Sequence, residues 1–318
     1  MTMNKKTMRS KARLHPEALS WRRSAVVGGG EVSATTLKAV SDFCYAIDRA
    51  GLRSSFLRLN LICGGNTQAA GFPLYRGPSA NGTQYGSVSD TVVDYEGGDY
   101  SESTGLSGDS ENEQHVDTTL TMGTVASFGA DYGDVHTSIY NRSSTNGPQF
   151  GGMDMAAYYY ANGIALNTGP GNAFSMQGFF STGSGEPSDH TANSRVSLGF
   201  TLAMFLDPTT AVVESQGSEL TVTIANNNSN VFDPADVTPI WFGGCWLEPG
   251  YHAFANGQLS AYSIGKAAGT NLSNSTGRTA FYAAMDNFQR ALSRHITTKL
   301  LTQDNNQLIT EAGKYLSA

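Results

Sequence analysis

The stretch Val196-Ser-Leu-Gly-Phe-Thr-Leu-Ala-Met-Phe-Leu206 places an apolar side chain at every second position along its whole length. A period of two is typical of a β-strand with one buried face, because successive side chains of a strand point to opposite sides. We therefore interpret this stretch as the clearest strand of the chain.

Shorter runs with the same period extend the pattern to other parts of the chain. Leucines alternate with Arg58 and Asn60 at 57–61, and further runs lie at 220–224 and 261–264. Weaker strands are expected near 68–75, 117–123, 134–141, 154–160, 173–180 and 239–243. Many short strands separated by turn residues predict a mainly β fold, a sandwich or a barrel. We favour an antiparallel jelly-roll sandwich.

Two amphipathic helices are expected on either side of the strands. Residues 34–49 carry one apolar face, begin after a capping Ser33 and stop before Gly51. A second stripe follows Ser273 with steps of four, three and four, formed by Phe281, Met285, Phe288 and Leu292. We expect both stripes to pack on the sandwich.

The chain is divided by these patterns into four segments. We predict a basic N-terminal arm at 1–30, an amphipathic helix at 31–54, a β-sandwich at 55–268 and a C-terminal helix plus tail at 269–318. The tail contains a small repeat, because the pattern of residues 300–307 returns at 308–315. Each repeat unit is long enough for one short strand and a turn.

The charge is distributed unevenly. The net charge of the 318 residues is −7, yet the first 23 residues contain seven cations and one acid. Such an arm is suited to an acidic neighbouring subunit or nucleic acid, and a solvated terminus is the simpler alternative. We predict that it anchors the protein to a particle through Lys5, Lys6, Arg9, Lys11, Arg13, Arg22 and Arg23.

Between Arg76 and Arg142 there is no lysine or arginine but eleven acidic residues. Carboxylates of this kind can bind Ca²⁺, although no D-x-D-x-D-G loop occurs, so solvated surface loops are the favoured interpretation. The odd cysteines Cys44, Cys63 and Cys245 indicate neither a disulfide framework nor a zinc site. We therefore predict no cofactor or metal, with calcium as the alternative.

No catalytic motif is present. The six histidines share no ligand spacing, and the best acidic pair lies in Glu96-Gly-Gly-Asp99-Tyr-Ser-Glu102. Glycoside hydrolysis needs two cooperating carboxylates, but this spacing places Glu96 and Asp99 on opposite faces of a strand that Gly97 and Gly98 also disfavour. We predict that the protein is not an enzyme, with a polysaccharide depolymerase as the weaker alternative.

An aromatic cluster at 240–254 is the best candidate for ligand binding. Sugars stack on exposed aromatic rings, and four rings lie in this segment: Trp241, Trp246, Tyr251 and Phe254. We expect Trp241 to be buried with Phe242 in a strand. Trp246 and Tyr251 are the predicted glycan-binding residues.

Several segments resemble phage-encoded proteins with a concanavalin-like or laminin-G-like sandwich domain. These segments bracket the chain at 40–43, 51–61, 73–78, 84–86, 259–265 and 280–292, whereas about 90–235 is similar only in style. The ending Leu308-Ile-Thr-Glu-Ala-Gly313 resembles the C-termini of phage structural proteins. The matching motifs carry no catalytic residues.

The resemblance implies a bacteriophage virion protein, made in the host bacterial cytoplasm and built into the particle as a head-decorating or tail-attached appendage. Its partners would be other virion proteins and further copies of itself, with a trimer as one arrangement. A host-glycan adhesin is the alternative function. No export signal or apolar span of membrane length is present, so neither a membrane nor nucleic acid is the expected partner.

Overall fold

The structure is a computed structural model. It describes residues 13–130, 134–143, 147–154, 162–168, 174–179, 190–192, 198–207, 210–215, 218–223, 234–248, 251–296, 298–299, 308–310 and 315–316.

The described residues include five α-helices. They are α1 (Pro16–Val27), α2 (Ala34–Arg49), α3 (Thr67–Ala70), α4 (Met122–Phe128) and α5 (Ser275–Ala291). Single 3-10 turns lie at Arg53–Ser55 and Asn271–Ser273. Within the described residues, no helix combines the length and the apolar character that crossing a bilayer requires.

The strands make up most of the remaining structure. In chain order they are β1 (Phe56–Asn60), β2 (Thr91–Val93), β3 (Tyr100–Ser101), β4 (Gly105–Gly108), β5 (His115–Thr121), β6 (Val135–Asn141), β7 (Gly147–Asp154), β8 (Asn162–Thr168), β9 (Phe174–Phe179), β10 (His190–Ala192), β11 (Gly199–Asp207), β12 (Thr210–Ser215), β13 (Ser218–Thr223), β14 (Pro239–Phe242), β15 (Gly244–Glu248), β16 (Tyr251–Phe254), β17 (Gly257–Lys266), β18 (Thr298–Lys299), β19 (Leu308–Thr310) and β20 (Tyr315–Leu316).

Two large sheets form a sandwich. The first sheet has the order β13-β12-β11-β6-β17-β4-β3, with β1 paired to β17 beside β4. The second has the order β10-β9-β8-β7-β14-β5-β2 and also includes β15 and β16. Apart from one parallel bridge between β15 and β7, the pairings are antiparallel. The predicted fold class, a mainly β antiparallel sandwich, is confirmed.

The first sheet is the middle layer of the molecule. On one side Ala203 and Phe205 of β11 belong to the core shared with the second sheet. On the other side Phe200, Leu202 and Met204 belong to a second core, shared with α1, α2 and α5. The alternation in β11 is therefore real, but its larger apolar residues pack against helices, and both faces of the strand are buried.

The helical layer follows the predicted stripes closely. The helix predicted over 34–49 is α2, with the Ser33 side chain accepting a hydrogen bond from the backbone of Thr36. In α5 the residues Phe281, Met285 and Phe288 are buried, as their spacing predicts. The strand expected near 68–75 is wrong, because Asn66 caps the short helix α3 at this position.

Helix α1 belongs to this folded layer. Ala18, Trp21 and Ala25 are buried, and the Trp21 indole donates to the carbonyl oxygen of Phe72 at 2.9 Å. The N-terminal segment from Pro16 onward is therefore packed against the body.

Strand β1 departs from its predicted character. Arg58 and Asn60 are 0% and 1% exposed, so the expectation of a half-buried strand with a solvated polar face is wrong. Buried polar groups must be paired, and here the partner is Asp90. Its carboxylate accepts from Arg58 Nε at 2.8 Å, from Asn60 Nδ2 at 2.7 Å and from Tyr262 Oη at 2.6 Å.

The remaining donors of Arg58 are also satisfied. Its two terminal nitrogens donate to the carbonyl oxygens of Tyr85 and Ser87, at 3.0 and 3.1 Å. The loop before β2 is thereby held against β1. The cluster of Arg58, Asn60, Asp90 and Tyr262 is called the Asp90 network below.

A second buried arginine ties the end of α5 to the first sheet. Arg294 is 0% exposed and donates to the carbonyl oxygens of Leu61, Ile62 and Ser260 at 2.6, 2.9 and 3.1 Å. These bonds connect the C-terminal helix to the end of β1 and to β17.

Removing the Asp90 carboxylate should destabilise the protein strongly. In Asp90→Ala the Arg58 guanidinium stays buried without its counter-ion, which costs about 3–5 kcal/mol. Denaturant unfolding measures this loss. The matched control is Asp42→Ala, which removes an exposed ion pair with Lys38 and should cost less than about 1 kcal/mol. Equal losses in the two variants would contradict the assigned role of the network.

The buried His136 should make stability depend on pH. Burial between β6 and β17 lowers the pKa of His136 from 6.5 to about 4. The folded state therefore favours the neutral ring, so stability is complete above pH 6.5 and falls as the pH drops towards 4. The loss amounts to about 3 kcal/mol. The free energy of unfolding, plotted against pH over this range, should change less for His136→Gln than for the unsubstituted protein. A pH dependence that the substitution leaves unchanged would refute the assignment.

Candidate functional site

Four aromatic rings lie together on the outer face of the second sheet. They belong to His115 of β5, Trp241 of β14, and His252 and Phe254 of β16, and they are called the aromatic plate below. Trp241, His252 and Phe254 are half-buried, and His115 is 8% exposed. The plate is thus an aromatic surface that a ligand can reach.

Trp241 lies at the centre of the plate. The centroid of its ring is 4.1 Å from that of His115 and 5.0 Å from that of His252. The Phe254 ring is nearly parallel to it, at 13° and a centroid distance of 6.0 Å. The expectation that Trp241 is buried with Phe242 is wrong for the tryptophan, because only Phe242 points into the core.

Two glycines shape the chain under the plate. Gly243 has a φ of +82°, a conformation that side-chain-bearing residues disfavour, and it separates β14 from β15. A Cβ on Gly244 would lie 2.9 Å from the Phe254 ring. The Gly243-Gly244 pair therefore turns the chain and leaves room for Phe254 to lie beside Trp241.

The strand register places polar groups in line with Trp241. Thr91 pairs with Asp117, and Asp117 pairs with Trp241, so the three residues form a row across β2, β5 and β14. On its other side Trp241 pairs with Gly151, which has no side chain to cover the ring. One oxygen of Asp117 accepts from the Thr119 backbone at 2.7 Å.

The imidazole of His115 is held neutral. Burial lowers the pKa of His115, and this effect exceeds the opposing influence of the Glu113 carbonyl and of the Asp117 and Asp94 carboxylates. The ring Nδ1 lies 2.7 Å from the Glu113 carbonyl oxygen, so it carries the proton and donates. His115 therefore adds an uncharged aromatic surface to the plate.

A cleft of about 840 Å³ opens beside the edge strand β2. Its walls carry hydroxyl, amide and carboxylate groups together with aromatic rings, including Thr67, Gln68, Thr91, Tyr95, Glu96 and Tyr100. Thr91 belongs to both this cleft and the row that ends at Trp241. The cleft therefore adjoins the polar end of the row.

The predicted glycan-binding residues lie next to the plate in the backbone. Trp246 pairs with His252, and Tyr251 pairs with Glu248. The side chains of Trp246 and Tyr251 lie outside the described part of the structure, so their role stays a prediction. Sequence reasoning missed His115 and His252. Only His252 had a signal in the sequence, because it lies inside the aromatic segment at 240–254.

The acids considered for hydrolysis have separate structural roles. Glu96 lines the cleft, whereas Asp99 accepts from the Glu96 backbone and from the Gln114 side chain, each at 2.8 Å. Glu102 accepts from the Thr36 hydroxyl at 2.7 Å and from the Gly64 backbone at 2.8 Å. Asp99 and Glu102 are thus held by structural hydrogen bonds, and Asp99 lies next to the Glu96 backbone.

The residues predicted to anchor the protein are only partly described. Lys5, Lys6, Arg9 and Lys11 lie outside the described residues, whereas Arg13, Arg22 and Arg23 are exposed. Leu19 and Val26 of α1 are also exposed, at 42% and 50%. Anchoring stays a prediction. A deletion of residues 1–27 made to test it would also remove the buried Trp21.

Potential metal ligands meet at one place among the described residues. His15, Glu17 and Asp48 have ligand atoms within 4.8 Å of one another. However, His15 Nδ1 accepts from the Glu17 backbone, so Nε2 carries the proton and donates to Asp48 at 2.9 Å. Glu17 is bound by Arg53 at 2.8 Å. These bonds describe a helix cap, and calcium binding in the acidic segment stays a prediction.

The cysteines offer no nucleophile. All three are free and buried, as the sequence predicts. Burial raises the pKa of the Cys44 and Cys63 thiols to about 12 and that of Cys245 further still. Thiolates are therefore not formed near neutral pH.

The chain is only weakly similar to known proteins. No protein-family model and no curated protein sequence matches the chain. Among solved structures, the NanB sialidase from Streptococcus pneumoniae is 11% identical over 46% of this chain and 24% of its own, with a TM-score of 0.35. The chain thus spans about a quarter of that protein.

Two further structures are similar at the same level. The IT-sialidase CBM40 of Ruminococcus gnavus, bound to α2,6 sialyllactose, is 12% identical over 51% of this chain and 89% of its own, with a TM-score of 0.35. A Trypanosoma rangeli sialidase mutant with trans-sialidase activity is 8% identical over 79% of this chain and 39% of its own, with a TM-score of 0.42.

Replacing Gly243 should damage the region of the plate. In Gly243→Ala the residue must keep a positive φ, which costs about 1–2 kcal/mol. Thermal unfolding measures the loss of stability, and near-ultraviolet circular dichroism reports the packing of Trp241. The matched control is Gly97→Ala, where an added Cβ meets no atom within 4 Å. A Gly243→Ala protein as stable as the control would contradict this role.

Proposed function

We propose that this protein binds carbohydrate through the aromatic plate on the outer face of its second sheet. The observation that carries the proposal is the half-buried Trp241, flanked by His115, His252 and Phe254 and paired on its other side with Gly151, which carries no side chain. A host-glycan adhesin is also the alternative function that the sequence indicates, with Trp246 and Tyr251 as the predicted binding residues. The present proposal assigns binding to the aromatic plate instead.

The chemistry of a sugar fits this surface. One face of a pyranose presents C–H groups, which pack on an aromatic ring, while its edges carry hydroxyls that need hydrogen-bond partners. Ligand sites combine apolar and aromatic walls with a few placed polar groups in this way. Here the Asp117 carboxylate and the Thr91 hydroxyl lie in the same cross-strand row as Trp241. The row offers stacking and hydrogen bonding to one ligand.

We propose that the protein binds its carbohydrate ligand and does not cleave it. Hydrolysis of a glycosidic bond requires two carboxylates at a fixed separation across the bond. The carboxylates of Asp99 and Glu102 are instead held by backbone and side-chain donors, which assigns them a structural role. A depolymerase remains the weaker alternative, and sugar release on incubation with polysaccharide would support it.

The virion role rests on the resemblance in sequence alone. A carbohydrate-binding face is compatible with it, since an appendage on a particle can hold a host-surface glycan. We therefore propose an adhesin as the function that unites the two lines of argument. Assembly partners and the number of copies stay predictions.

Removing the central ring should abolish most of the binding. Trp241→Ala should weaken binding of a glycan found by array screening at least tenfold, which corresponds to about 1.4 kcal/mol. Titration calorimetry on the full chain measures this. The matched control is Tyr45→Ala, which removes an aromatic ring that is 37% exposed on α2, in the helical layer. Its affinity should be unchanged.

Two further variants test whether binding depends on the plate itself or on the residue next to it. Phe254→Ala should also weaken binding, because its ring lies nearly parallel to that of Trp241. Trp246→Ala tests the sequence-based prediction at the position paired with His252. Full binding by Trp241→Ala and Phe254→Ala, with native unfolding temperatures, would rule out the plate as the site.

A further inference from the structure

The second sheet has an unusual charge composition. None of its nine strands contains a lysine or an arginine, as the sequences of β2, β5, β7–β10 and β14–β16 show. The first sheet, in contrast, includes Arg58 and Lys266. The strands that carry the plate are therefore built without permanent cations.

Two carboxylates lie near the plate. Asp117 is the cross-strand neighbour of Trp241, and the Asp94 and Asp117 carboxylates both act electrostatically on His115, with His252 acting in the opposite sense. His115 itself is kept neutral by burial, as described above. Apart from His252, the described strands of the second sheet place no cationic side chain beside these carboxylates.

Such a field discriminates between classes of sugar. Sugars with a carboxylate, such as sialic and uronic acids, are bound through charged donors, above all the fork of an arginine. Without such a donor, the sugar carboxylate loses water and meets like charges, which is unfavourable. A neutral sugar has no such cost, and its hydroxyls can donate to a carboxylate.

We infer that the plate selects uncharged sugars, hexoses or N-acetylhexosamines, and rejects sugars that carry a carboxylate. This inference rests on the proposed function and names the ligand class of the same site. Asp117 is the specificity residue, since one of its oxygens is bound by the Thr119 backbone and its carboxylate stands beside Trp241. It accepts from a sugar hydroxyl and repels a sugar carboxylate.

The test compares matched ligands on the full chain. N-acetyllactosamine is paired with its sialylated form, and cello-oligosaccharides with their uronate counterparts. For the pair that binds, we expect the neutral member to bind at least tenfold more tightly. In Asp117→Asn this ratio should fall at least threefold, because the repulsion is removed while the amide oxygen can still accept from Thr119. The control Asp42→Asn, in the helical layer, should leave the ratio unchanged.

The outcomes separate this inference from the proposed function. Equal or tighter binding of the carboxylated member, abolished by Trp241→Ala, would overturn the selectivity while supporting the plate as a sugar site. Absence of binding to both members of every pair and to every glycan of the array would overturn the proposed function, and the inference with it. A ratio unaffected by Asp117→Asn would overturn the role of that residue.

Discussion

The buried ion pair between Arg58 and Asp90 is the constraint on which the arrangement of the two sheets depends. A guanidinium in the core must be neutralised and its donors satisfied, so the loop that carries Asp90 has to fold back onto β1. Tyr262 of β17 binds the same carboxylate, which joins the loop to the centre of the first sheet. Thr91, the first residue of β2, follows Asp90 directly, so the network also fixes where the second sheet has its edge and where the row to Trp241 begins.

The first sheet is covered on both faces, and this explains its many buried polar side chains. Ser138 and Ser263 share a hydrogen bond of 2.6 Å, and the His136 ring lies within 3.3 Å of Ser263. Such groups are tolerated inside a protein when they are paired. On the outer face of the second sheet, Trp241 and Asp117 remain half-buried. The proposed ligand surface therefore lies on a sheet face that solvent still reaches.

Local patterns predict the elements well and their surroundings poorly. The spacing of apolar residues locates β11, α2 and α5, because each period reports on the geometry of its own segment. It does not report which layer lies opposite, so the polar positions Arg58 and Asn60 were expected in solvent. Their partner Asp90 is 30 residues or more away in the sequence. For the same reason sequence reasoning assigned Trp241 to the core, because the face on which it lies is set by the packing of Ile240 and Phe242 against other strands.

Helix α1 reaches the cleft beside β2. It is fastened to the body by Trp21, which donates to the Phe72 carbonyl oxygen, and Gly28 at its C-terminal cap lines the same cleft as Phe72 and Thr91. Thr91 is the first residue of the row that leads through Asp117 to Trp241. A shift of α1 against the body would therefore reshape the wall of the cleft at the polar end of that row.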